Sequence, residues 1–216
     1  LRHRYYPPIF YMVQKLRLVM GKRDSLYQLE GLCELDEGYF SNTDSLELNE
    51  FTGKQEELKR GKGSQKKACV LVTHSVKQAN LTLKKSEYKH ETIPMYIKMT
   101  VLDDEKAETF VKYTQETICE NSRLKTDDHR AYTKLKNIVR IHQPHNMKKE
   151  DPGKILPWVH KAISNSKANL WAIYHGVSNA YLQNYLNEYC FKYNRRGFGE
   201  KLIERLIIAA VNTTWY

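Results

Sequence analysis

An α/β domain built on a mixed five-stranded sheet flanked by helices is the fold class predicted from this sequence, on three observations. Three β-rich runs, at 32–40, 68–76 and 94–102, come early in the chain. Residues 103–143 then alternate between helical and extended patterns, and the stretch from Leu156 to Arg196 reads at helical period. With 216 residues the chain is long enough for one such domain with a substantial core.

The elements follow in order. IFYMVQKLRLVM (9–20) mixes apolar and basic positions at helical period and stops at Gly21, which predicts a short amphipathic lead-in helix. LCELDEGYF (32–40) reads as a strand carrying Asp36. Ser41 to Lys67 is polar, and within it KRGKGSQKK (59–67) has glycines that disfavour helix and bases that suit solvent or a phosphate backbone. ACVLVTHSV (68–76) is strongly apolar and PMYIKMTVL (94–102) alternates, so the two are read as antiparallel neighbours. Asp103 and Asp104 precede a helix with a periodic face at Ala107, Phe110, Val111 and Thr114. A short strand ends at Lys125–Thr126 and runs into DDHRAYTKLK, read as a helix start. NIVRIHQ (137–143) is the last strand, followed by a polar loop from Pro144 to Gly153 and two C-terminal helices.

Three antiparallel strands followed by helix–strand–helix–strand–helix is the topology of the ribonuclease-H-like fold, although spacing alone admits other α/β arrangements. The expected divisions are a helical lead-in over 1–30, the ribonuclease-H-like domain over 31–200 and an apolar tail over 201–216. Lys and Arg number 35 against 25 Asp and Glu, a formal charge of +10, which favours a polyanionic partner, nucleic acid first and an acidic membrane second. No run of about 18 apolar residues exists to span a membrane, and no signal peptide is visible. Cys33, Cys69, Cys119 and Cys190 are scattered without a C-x-x-C pair, which argues against a zinc ribbon and fits reduced thiols.

Asp36 in the first strand and Asp127 just after the fourth fall at one edge of the predicted sheet. Two carboxylates held together repel, and a divalent cation relieves that repulsion. Mg2+, a hard ion, prefers such oxygen donors. The structural alternative is a strand-end cap at Asp36 and a helix cap at Asp127. His160, Ser164 and Lys167 form one helical stripe at i, i+4 and i+7. His160 is the candidate third metal ligand, where a neutral imidazole lowers the site's negative charge and favours Mn2+; an inert hydrogen-bonded histidine is the alternative. Lys167, about 10 Å further along the axis, is placed to meet a phosphate. Glu188, Lys192 and Arg195 repeat the spacing, as a stripe toward a DNA backbone or as an ordinary i, i+4 ion pair with a basic helix end. Lys59, Arg60, Lys62, Lys66 and Lys67 are either DNA-backbone contacts or a solvated loop. His142 and His145 read as loop residues rather than zinc ligands.

The chain resembles the DDE-type transposases of bacterial insertion sequences, in the insertion sequence 1595 group with an ISXO-like catalytic domain. The matching segments are KLRLVMGKRDSLYQLEG, LDEGYF, RGKGSQKK, TDDHRAY, WVHKAISNSK, YHGVS and YLNEYCFKYNRR, in the family's order over nearly the whole chain. The resemblance implies a ribonuclease-H-like domain that cuts and joins double-stranded DNA at transposon ends, on Mg2+ or Mn2+, with two ions expected. It implies Asp36 and Asp127 as the first two catalytic acids. His160 stands where relatives carry glutamate, asparagine or histidine, with the lysine two turns later at Lys167. Glu188, Lys192 and Arg195 match a trailing Glu–Arg–Arg signature with lysine in its middle place. Ala172–Ile173 stands where Gly-Thr commonly precedes YHGVS. The family's zinc ribbon and helix-turn-helix are not in this sequence, so 1–30 reads as a lead-in from a missing N-terminal DNA-binding region. A homo-oligomer on DNA, no membrane association and a bacterial cytoplasmic, nucleoid-associated location are expected. The competing expectations are a truncated, inactive remnant that only binds DNA, a hydrolytic nuclease of the same fold, and an RNA-associated protein, for which no RNA-binding signature is present.

Overall fold

A computed structural model describes residues 5–41, 67–78, 92–146 and 155–214. The order is α1 (Tyr6–Ser25), β1 (Leu32–Ser41), β2 (Lys67–Gln78), β3 (Thr92–Val101), α2 (Ala107–Thr117), β4 (Arg123–Asp127), a 3-10 helix (Arg130–Asn137), β5 (Ile141–His145), α3 (Pro157–Tyr174), α4 (Asn179–Asn194) and α5 (Lys201–Val211). The strands form one mixed sheet in the order β3-β2-β1-β4-β5. β1 pairs antiparallel with β2 and parallel with β4; β2–β3 is antiparallel and β4–β5 parallel.

Period-two alternation sends the two faces of the sheet into different cores. Phe40, Val70 and Val72 join Val159, Ile163, Leu182 and Leu186 of α3 and α4. Cys33, Leu35, Cys69 and Leu71 join Phe110, Leu124, Tyr132 and Leu135 on the opposite side. β2 lies inside the sheet and is covered on both faces, which is why Ala68 to Val76 are buried throughout rather than at alternate positions.

Three local readings are corrected. Gly21 does not end α1, which continues to Ser25; a Cβ there would collide with the Asn187 side chain, so the glycine lets α1 and α4 approach closely. The helix expected from Asp127 is a 3-10 helix beginning at Arg130. The last strand begins at Ile141 rather than Asn137, because Ile138 and Val139 fill the core from a turn. His142 and His145 therefore lie on β5, not in a loop, and Pro144 is tolerated because β5 is an edge strand. The apolar segment from 201 contains α5, which packs on α1. Among the described residues no helix is long and apolar enough to cross a membrane.

Candidate active site

β1 and α3 build the site together. The even positions of β1 face α3, and the contacts advance along both elements in the same direction. The Glu34 carboxylate accepts from the backbone N–H groups of Trp158 and Val159 at 2.9 and 3.0 Å. Two residues on, Asp36 Oδ2 lies 2.9 Å from His160 Nε2. A Cβ on Gly38 would stand 3.1 Å from Ile163 Cγ2, so the missing side chain lets the helix lie against the strand. Finally, the Lys167 ammonium lies over the Phe40 ring, 5.4 Å from its centroid.

β4 brings the second aspartate. Leu32, Cys33 and Glu34 pair with Arg123, Leu124 and Lys125, and the same offset puts Asp36 level with Asp127 just beyond the last paired rung. Asp127 Oδ1 accepts from the His129 N–H at 3.1 Å, turning the chain into the 3-10 helix. On the other face of β1, Glu37 accepts from the Tyr132 hydroxyl of that helix. Glu37 and Tyr132 thus tie the strand bearing Asp36 to the segment that follows Asp127.

The electrostatics are those of crowded carboxylates. Burial raises the Asp127 pKa, and the charge of Asp36 raises it further, against the His129 contacts. Burial likewise raises Glu37, with Asp36 and Asp127 adding to the rise despite the bond from Tyr132. Burial pushes Glu34 up to about 7 against the pull of the Val159 and Trp158 amides. The hydrogen bond to Asp36 raises His160 above its ordinary value, over the opposing effect of burial. Partial burial lowers the Lys167 pKa, and the nearby Lys67 lowers it further, so two cations from β2 and α3 share one neighbourhood.

Asp36, Asp127 and His160 offer two carboxylate oxygens and one imidazole, a donor set that suits a divalent cation, and the repulsion within the set would be relieved by one. The direct Asp36–His160 bond occupies two of those donor atoms, and among the described residues no three His, Cys, Asp or Glu side chains stand as a ready-made metal cluster. His142, on β5, instead pairs with Thr126 Oγ1 at 2.9 Å.

The other predicted residues lie elsewhere. Lys67 is exposed at the start of β2, opposite Ser41. Lys59, Arg60, Lys62 and Lys66 fall outside the described residues. Glu188 meets Arg17 of α1 at 2.7 Å and also pairs with Lys192. Arg195 pairs with Asp24 at 2.7 Å, both side chains being almost buried. The structure therefore carries Glu188 and Arg195 to α1 rather than to the carboxylates, because a buried guanidinium needs an acid beside it; Lys192 remains exposed. Sequence reading missed Glu34, Glu37 and Tyr132. The alternation in CELDEG, which puts Glu34 and Asp36 on one face, was the available signal for the first.

The model of the ISXO2-like transposase domain matches residues 28–194, from just before β1 to the end of α4. No curated protein matches the chain, and no solved structure does.

Proposed function

Because the chain belongs to the ISXO2-like transposase domain family, we propose that it cuts and joins DNA strands by metal-dependent phosphoryl transfer during transposition of an insertion sequence. The observation that carries this reading is the meeting of Asp36 and His160 at 2.9 Å, with Asp127 level on the neighbouring parallel strand. The sheet order β3-β2-β1-β4-β5 supports a ribonuclease-H-like fold, with 31–200 as the catalytic domain, 1–30 as its lead-in and 201–216 as the tail.

Asp36, Asp127 and His160 would hold Mg2+ or Mn2+, two ions in this reading. The bound metal would supply Lewis acidity to the scissile phosphate and to the attacking water or 3′-hydroxyl. For Nε2 to serve as a ligand its proton would pass to solvent, leaving a neutral imidazole protonated at Nδ1 and freeing the Asp36 oxygen it had bonded. Asp127 is held ready by the His129 amide, and Glu37 keeps its segment against β1 through Tyr132. Lys167 and Lys67 place a DNA phosphate beside the carboxylates, exposed Lys192 contributes further out, and Lys59, Arg60, Lys62 and Lys66 are assigned to the DNA backbone on their sequence alone. Glu188 and Arg195 brace α4 against α1 in support of that surface. The partners are double-stranded DNA, at transposon ends and target, and further copies of the chain, acting at the bacterial nucleoid.

The test incubates the chain with a transposon-end duplex and Mg2+ or Mn2+. Nicked and joined products that vanish in Asp36→Asn support the reading. Nicks without joining identify a hydrolytic nuclease. Salt-dependent binding with no cleavage identifies a domain that only binds DNA.

A further inference from the structure

We propose that Glu34 is a positioning residue that sets His160 against Asp36 by anchoring the first turn of α3. Helix N-termini leave backbone N–H groups without partners inside the helix. α3 begins with Pro157, which has no N–H, and no side chain at its N-cap, Leu156, accepts a bond. The N–H groups of Trp158 and Val159 both go to one oxygen, Glu34 Oε2, at 2.9 and 3.0 Å. Glu34 is 2% exposed, so water does not compete for that oxygen. The residue after Val159 is His160, and the residue two places after Glu34 on the same face of β1 is Asp36. One strand thus carries both the acceptor that holds the start of the helix and the carboxylate that the helix presents its histidine to. Removing the acceptor leaves a buried donor at Val159 and a half-buried one at Trp158 unpaired, and the first turn of α3 shifts to reach water.

The role of Glu34 in catalysis rests on the phosphoryl-transfer reading; its effect on α3 does not. The test uses the whole chain with Glu34→Gln, whose amide oxygen still accepts two bonds, and Glu34→Leu, which accepts none. Each is made alone and with His160→Ala. The readouts are hydrogen exchange at the Trp158 and Val159 amides and cleavage of a transposon-end duplex. Glu34→Gln is expected to keep both amides protected and the rate within about threefold of wild type. Glu34→Leu is expected to lose the protection and to slow cleavage on the order of 100-fold, with no further loss in the His160→Ala background.

Unchanged protection in Glu34→Leu overturns the proposal, as does an equal rate loss with and without His160. If Glu34→Leu does not fold, Glu34→Asp is read in its place. It keeps the charge but withdraws the acceptor by one methylene, and unchanged amide protection with an unchanged rate there overturns the proposal. If the wild-type chain does not cut DNA, the functional reading fails. Amide protection, and the Asp36–His160 contact in crystals of the variants, then decide the anchoring.

Discussion

His160 Nε2 stands 2.9 Å from Asp36 Oδ2, although the two residues are 124 apart in sequence, so the first turn of α3 closes onto the middle of β1. That closure brings a cationic or neutral imidazole into a group of carboxylates that otherwise repel one another.

Neutralising Asp127 separates stability from function. Its ionised form is disfavoured in the fold by burial and by Asp36, while its Oδ1 bond from His129 survives in an amide. Asp127→Asn is therefore expected to leave the urea midpoint unchanged or raise it, while DNA cleavage falls on the order of 1000-fold or more. A lowered midpoint would show that the carboxylate stabilises the fold.

Gly38 sets the distance from β1 to α3. In Gly38→Ala the new methyl meets Ile163 at 3.1 and 3.3 Å and Phe40 at 3.1 Å. The expected cost is about 1–3 kcal/mol in chemical denaturation, with cleavage reduced as His160 and Lys167 move together. Adding Ile163→Ala, which removes both contacting γ-carbons, should recover part of the lost cleavage.

The two basic residues at the end of α4 should behave differently. Asp24→Ala leaves the Arg195 guanidinium buried without its acid and is expected to destabilise by about 3–5 kcal/mol. Lys192→Ala removes an exposed cation whose acid keeps Arg17, and should cost no more than about 0.5 kcal/mol. Urea titrations of both variants measure the contrast.

Lys167→Ala is expected to weaken DNA binding similarly for different sequences and to reduce the salt slope of binding by about 1. Titrations at several salt concentrations read the slope, and an unchanged slope removes Lys167 from the phosphate contacts.

His74, opposite Glu34 across the β1–β2 pairing, gives the fold a pH dependence of its own. Its Nδ1–H donates to the Ser75 carbonyl at 2.8 Å and its Nε2 accepts from the Tyr193 hydroxyl at 3.0 Å. Burial pushes its pKa down to about 4. A folded-state pKa below the unfolded value means that the unfolded chain binds the extra proton first. The stabilisation is therefore complete above about pH 6.5 and is lost as pH falls toward 4. His74→Gln should flatten the stability profile across that window.

The element pattern was legible because helical and strand periods are local properties of sequence. The runs LCELDEGYF, ACVLVTHSV and PMYIKMTVL became three neighbouring strands, and Leu156 to Arg196 became α3 and α4. Local chemistry misled where a packing partner overrode it. Gly21 has the composition of a helix stop but sits inside α1, because Asn187 comes too close for a side chain. Ile138 and Val139 have strand-like character but fill the core from a turn.

Sequence by itself determined the alternating strands, the helical stripe of His160 and Lys167, the basic balance and the motifs that mark the ISXO2-like transposase family. Only the tertiary structure decided that Glu34 holds the start of α3, that Tyr132 ties Glu37, and that Arg195 belongs to Asp24 rather than to a stripe with Lys192. The physical reason is range. Period and propensity act over one or two turns, whereas a buried donor or charge takes whichever partner the folded chain brings to it.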